Sequence, residues 1–148
     1  MAPKAILFDL DGVIVDSEPL HHRAFDRAFA ERRLPPIPFD LYADVFTSRG
    51  LGLEWAARTH GVDARELHHR KQEIYGELLR SEARLCAGAE AVIPRLARRF
   101  ALAVATNSPR AEAEFVLERF GLAAHYRAVV GREDYERPKP APDAFLAA

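Results

Sequence analysis

The chain has 148 residues, 49% of them hydrophobic and 29% charged, and a formal net charge of −1 from twenty-one basic and twenty-two acidic side chains. That balance excludes a nucleic-acid binder working through a general basic field, and the apolar content excludes a disordered tail. A single cysteine, Cys86, excludes an intramolecular disulfide or a Cys-rich zinc site and makes a reducing compartment the default.

Ala5-Ile-Leu-Phe8 is a short continuous apolar run that ends in Asp9-Leu-Asp11-Gly12. Apolar residues at successive positions predict a strand buried on both faces, as in a parallel sheet. The run is too short for a signal peptide or a membrane helix, so a cytoplasmic protein with no membrane partner is expected. From Ser17 the period changes. Leu20, Ala24, Phe25, Ala28 and Phe29 share one helical face, with Ser17 as N-cap, until Leu34-Pro-Pro-Ile-Pro38 stops the helix. A short helix over Leu51 to His60 closes at Gly61. Asp63 with Glu66 reads as a capping box, opening a helix whose stripe is Leu67, Ile74, Tyr75 and Leu78. Trp55 and the phenylalanines are expected in the core. No strand is predicted between about Asp16 and Glu82.

After Ala87-Gly88 the pattern reverts. Val92, Ile93, Leu96, Ala97 and Phe100 mark a helix, in which Pro94 is comfortable only in the first turn. Ala101-Leu-Ala-Val-Ala105 is a second buried strand, ending in Thr106-Asn107. Ser108-Pro109 predicts a cap followed by proline at the first helical position; Phe115, Val116 and Phe120 face inward and Gly121 closes the helix. Arg127-Ala-Val-Val130 is a third strand, and a last helix begins near Asp143 after Pro138-Lys139-Pro140. The expected fold is α/β: a Rossmann-like parallel sheet core over residues 1–15 and 83–148, carrying an inserted α-helical block over 16–82.

Open parallel sheets bind ligands at the carboxyl ends of their strands. Asp9 and Asp11 follow the first strand, Thr106 and Asn107 the second, and Lys139 lies just beyond the third. Two carboxylates held by a turn can ligate a hard cation such as Mg²⁺, attack phosphorus, or exchange a proton with a leaving oxygen. Thr106, Asn107 and Lys139 would then neutralise and orient phosphoryl oxygens.

Phe8-Asp-Leu-Asp-Gly-Val-Ile-Val-Asp-Ser-Glu18, Val104-Ala-Thr-Asn-Ser108 and Arg137-Pro-Lys-Pro-Ala-Pro-Asp143 resemble, in order, the first three signatures of the haloacid dehalogenase superfamily. The closer resemblance is to its phosphatases and β-phosphoglucomutase-like members. It implies Asp9 as nucleophile, Asp11 as acid/base, and Mg²⁺ on Asp9 and the backbone carbonyl of Asp11. It further implies phosphate on Thr106, Asn107 and Lys139, and the helical block as a cap closing over a small phosphorylated metabolite. Asp11 favours phosphoryl transfer over dehalogenation, since expelling an alkoxide needs a proton and expelling halide does not. A sugar-phosphate mutase and a noncatalytic phosphate-binding module stay open beside the phosphatase; a signalling receiver domain fits less well.

The family's fourth signature, an acidic cluster after a further strand, has no counterpart here. Glu133-Asp134 is the nearest imitation and is expected to be solvated. The core is therefore expected to lack its C-terminal strands and to have little activity alone. A complete form should be monomeric, whereas an open edge on the first strand could drive self-association. By the same resemblance, His21 and Arg49 are candidates for touching substrate. His21-His22 and His68-His69 are poor chelators, because adjacent helical positions do not face each other. Cys86 is expected to be inert.

Overall fold

The computed structural model describes residues 4–148, which divide into two compact units. One takes in the described residues up to Ser17 together with Ala83–Ala148; the other is Glu18–Glu82. Among the described residues no helix is long and apolar enough to cross a membrane.

The first unit is built on three parallel strands, β1 (Ala5–Phe8), β2 (Ala101–Ala105) and β3 (Ala128–Val130), in the order β1-β2-β3. Ala5 pairs with Ala101 and Phe8 with Val104, while Ala103 pairs with Ala128 and Ala105 with Val130. The middle strand is buried on both faces, as its unbroken apolar run predicts. β1 departs from that expectation. Its residues alternate exposed and half-buried, and Leu7 keeps 38% of its surface. It stands at the end of the strand order, with its Ala5/Leu7 face open, while Phe8 on the other face meets Tyr126 edge to face at 5.9 Å.

Helix α5 (Ala89–Ala97) packs on β2 and α6 (Arg110–Arg119) on β3. Pro94 lies inside α5 rather than in its first turn, because the helix starts directly after the left-handed Gly88. Helix α6 starts one residue later than its Ser-Pro signal predicts, with Pro109 at the cap position and no side-chain cap bond. Val116 is buried as expected, but Ala113 and Leu117 complete the inward face, and Phe115 and Phe120 are half-buried. The last helix, α7 (Asp143–Ala147), begins at the expected residue.

The second unit is helical throughout its described elements: α1 (Glu18–Ala30), α2 (Phe39–Leu41) running into a π-helical stretch at Tyr42–Ser48, α3 (Gly52–His60) and α4 (Ala64–Glu82). α1 lies along α4, burying Leu20, Ala24, Ala28 and Phe29 with Leu67, Ile74, Tyr75 and Leu78. Gly61 closes α3 with φ 67°, and Asp63 Oδ1 accepts the Arg65 and Glu66 amides to open α4. The π-helical stretch has no counterpart in the sequence reading. The proline segment before it is pinned to α1, where Asp26 accepts the Ile37 amide at 2.8 Å. Among the described residues Phe29 is the one fully buried phenylalanine; most of the others, like Trp55, are half-buried, and two are exposed. Phe39 is 61% exposed against the edge of His22, and Phe145 is 45% exposed near the Lys139 ammonium.

Gly131 follows β3 in an ordinary extended conformation, with φ −99°, so its need for glycine is one of space. A Cβ there would lie 2.3 Å from the Arg110 backbone nitrogen. Gly131→Ala should therefore cost about 1–3 kcal/mol, the range for forced overpacking, read as a lower denaturant midpoint at constant m. An unchanged midpoint would show that the α6 start moves aside freely.

Candidate active site

The site is assembled where the three strands end. Phe8 delivers Asp9, and the chain then folds into a tight turn in which Leu10 O accepts the amides of Val13, Ile14 and Val15. Gly12 makes that turn possible with φ 71°. Asp9 and Asp11 are thereby held on one short loop. The Asp9 carboxylate takes the Leu10 amide on Oδ1 at 2.8 Å, and the Lys139 ammonium reaches the same oxygen at 2.7 Å. Lys139 Nζ also donates to the carbonyl of Ala105, the last residue of β2, at 3.0 Å. One lysine therefore ties the ends of β1 and β2 together.

Asp11 is held differently. Ser17 Oγ donates to its Oδ1 and Ser108 Oγ to its Oδ2, each at 2.6 Å. Both serines read as helix N-caps in the sequence; the structure turns both hydroxyls onto this carboxylate. The capping work at α6 falls to Glu133, whose carboxylate accepts the Arg110 amide at 3.1 and 3.2 Å. Asp134 accepts the Gly131 amide and pairs with the Arg110 guanidinium. Glu133 is exposed, as expected, and Asp134 half-buried, yet the pair also forms a fastening between α6 and the loop after β3.

Thr106 is buried, and its hydroxyl accepts the Ser108 amide at 3.0 Å, which aims the Ser108 side chain. Asn107 Oδ1 accepts the Lys139 amide at 2.9 Å, and its Nδ2 donates to the Lys139 carbonyl at 3.3 Å. The side chain expected on phosphate is engaged by the peptide group of the lysine. Tyr135 completes the bracket, its hydroxyl lying 2.7 Å from the Thr106 carbonyl and 2.8 Å from Asn107 Oδ1. Burial raises the Tyr135 phenol above its ordinary value; Arg132 opposes this and Asp9 adds to it, so the group stays a proton donor.

Asp9, Asp11, Thr106, Asn107 and Lys139 are therefore brought together, with Ser17, Ser108 and Tyr135 added. Ser17 and Ser108 had only the signal of a helix cap in the sequence; Tyr135 had none. His21 and Arg49 belong to the helical unit. There His21 stacks on Tyr75 at 3.9 Å and its Nδ1 lies 2.7 Å from Lys71 Nζ. Arg49 pairs with Asp44 at 3.2 Å and lines a cavity of about 240 Å³ with Trp55 and Arg58. Burial, and then Asp16, push the Cys86 thiol above its usual value, so it is a poor nucleophile.

The bracket is testable apart from any chemistry. Asn107→Ala removes the acceptor of the Lys139 amide, worth about 1 kcal/mol net, so that amide should exchange its proton roughly fivefold faster. Residue-resolved hydrogen exchange reads this directly. Equal protection in both proteins would mean the Lys139 loop holds itself.

The haloacid dehalogenase-like hydrolase family model matches residues 3–148. The phosphorylated carbohydrates phosphatase of Thermotoga maritima is 30% identical over 151 residues, covering 97% of this chain and 68% of that protein. The phosphoglycolate phosphatase of Yersinia pseudotuberculosis is 30% identical over 155 residues, covering 95% of this chain and 65% of that protein. The crystal structure of CbbY from Rhodobacter sphaeroides in complex with phosphate matches with a TM-score of 0.80 at 25% identity, covering 99% of this chain and 71% of that one. The chain spans about two-thirds of the length of these curated relatives. With the family model matched along nearly its whole length, the chain belongs to the haloacid dehalogenase-like hydrolases.

Proposed function

We propose that this protein is a phosphoric monoester hydrolase acting on a small phosphorylated metabolite, with Asp9 as the residue that takes up the phosphoryl group. The observation that carries the reading is the meeting of the Asp9 carboxylate and the Lys139 ammonium at the carboxyl ends of parallel strands, 2.7 Å apart. A nucleophilic carboxylate needs a cation beside the oxygens of the phosphoryl group it attacks, because charge stabilisation and positioning dominate phosphoryl transfer. The names of the relatives, phosphatases of phosphorylated carbohydrates and of phosphoglycolate, support the substrate class.

The donor set suits Mg²⁺, a hard ion that takes oxygen ligands and keeps several waters. The Asp9 carboxylate and the Asp11 backbone carbonyl would hold it, because both Asp11 side-chain oxygens are engaged by serine hydroxyls. Among the described residues no group of three His, Cys, Asp or Glu side chains gathers to form a larger cage. Bound there, the ion would offset the negative charge of the phosphoryl group. In the first half-reaction an Asp9 oxygen forms a bond to phosphorus, the ester P–O bond breaks, and Asp11 gives its proton to the leaving oxygen. In the second, water attacks phosphorus, Asp11 takes the water's proton, and Asp9 is released with inorganic phosphate. Lys139 steadies the phosphoryl oxygens, Thr106 lines the same strand end, and Asn107 serves through the Lys139 peptide group.

Two measurements test this reading. Asp9→Asn should lower phosphate release by at least about a thousandfold and abolish the labelled phosphoprotein trapped by quenching turnover. Equal label and equal turnover in both proteins would refute the nucleophile. The helical unit carries none of the strand-end residues, so it is assigned the choice of substrate. Arg49→Ala should shift relative kcat/KM among phosphorylated substrates by about tenfold, since discrimination lies in differential transition-state binding. A uniform slowing of every substrate would remove Arg49 from that role.

A further inference from the structure

We propose that Ser108 is a positioning residue for Asp11, fixing the direction of one oxygen of that carboxyl group. The inference rests on the phosphatase reading and adds to it a residue whose sequence signal was that of a helix cap. Asp11 must carry a proton in the first half-reaction and lack one in the second. A hydroxyl both donates and accepts, and its hydrogen rotates to suit. Ser108 Oγ at 2.6 Å from Oδ2 can donate to the carboxylate, and it can keep its contact when the carboxyl group is protonated. Ser17 Oγ stands on Oδ1 at the same distance, so whichever oxygen bears the proton, the other still accepts a hydrogen bond.

Three features of the fold commit Ser108 to this place. Its amide is bound by Thr106 Oγ1 at 3.0 Å, which fixes the backbone from which the hydroxyl projects. Its carbonyl accepts the Arg132 amide at 3.0 Å, tying the same residue to the loop after β3. The start of α6 is capped by Glu133, so the hydroxyl is not required there. The residue is half-buried, close enough to the loop bearing Asp9 and Asp11 to set the direction of one carboxylate oxygen.

The leaving group reports on this positioning. An alkyl phosphate must expel a strongly basic alkoxide and depends on the proton that Asp11 supplies. The p-nitrophenyl ester expels a stabilised anion and depends on it far less. Well-placed general acids contribute about 10²–10⁴-fold, so partial misplacement should cost the alkyl ester about tenfold more in kcat/KM than the nitrophenyl ester. The experiment measures both esters on the same preparations of wild type, Ser108→Ala and Ser108→Thr. Because each ratio is taken within one sample, the fraction of folded protein cancels. The expected result is a tenfold change in the ratio for Ser108→Ala and a return to the wild-type ratio for Ser108→Thr, which keeps a hydroxyl. An equal loss on both esters would assign Ser108 to structure or phosphate binding and overturn the proposal, as would no loss on either. A full-length wild-type protein that hydrolyses neither ester would instead overturn the phosphatase reading, and the proposal with it.

Discussion

The contact on which the site depends is the one between Asp9 and Lys139, and parallel strand pairing makes it possible. β1 and β3 both run alongside β2, so residues distant in sequence arrive at one edge of the sheet. Lys139 spans that edge, with one hydrogen bond to the Ala105 carbonyl and an ion pair to Asp9. A half-exposed ion pair adds little to stability by itself, because water screens it. Its weight lies in position: it sets a cation beside a carboxylate where phosphoryl oxygens can take the cation over. The Asn107–Tyr135 bracket holds the lysine's backbone, so the reach of its side chain starts from a fixed point.

The parts legible in the sequence share a physical cause. Strands such as Ala101–Ala105 announce themselves because a run apolar at every position has few other uses. The loop carrying Asp9 and Asp11 is local, so its spacing and glycine survive in the one-dimensional record. Hidden were the choices between partners of similar chemistry. Ser17 and Ser108 have the same hydroxyl whether it caps a helix or binds a carboxylate, and only the third dimension decides. Tyr135 and Glu133 act on residues more than twenty positions away, and no periodicity records that. The π-helical stretch at Tyr42–Ser48 was hidden because it shares its side chains with ordinary helix; its aromatic rings, Tyr42 and Phe46, pack against Phe25.

Within the helical unit the two candidates from sequence have different surroundings. Arg49 is exposed, and its partner Asp44 is exposed as well, so exchanging that partner for a substrate anion would cost little. His21 is bound into the packing between α1 and α4. Lys71 is buried, and its ammonium is compensated by Gln72 Oε1 at 2.9 Å, His21 Nδ1 at 2.7 Å and the faces of Phe25 and Tyr75. Stacked on Tyr75 and in contact with Lys71, His21 has a packing role that the helical pattern did not show.

The two carboxylates of the first loop stand two residues apart, yet the fold gives them partners of opposite kinds. Asp9 receives an ammonium, a partner suited to a group that attacks as an anion and then bears a phosphoryl group whose oxygens need positive charge. Asp11 counts among its partners the hydroxyls of Ser17 and Ser108, which can donate or accept. Exchanging the arrangements would impair both proposed roles. A lysine on Asp11 would oppose its protonation, and serines alone on Asp9 would leave the incoming phosphoryl charge without a neighbouring cation. The loop itself does not make this distinction, since Asp-Leu-Asp-Gly is nearly symmetrical in its chemistry. It is made by Lys139 and Ser108, brought from beyond β3 and β2, together with Ser17 from the segment that follows the loop, so division of labour between identical side chains is a property of the fold around the loop.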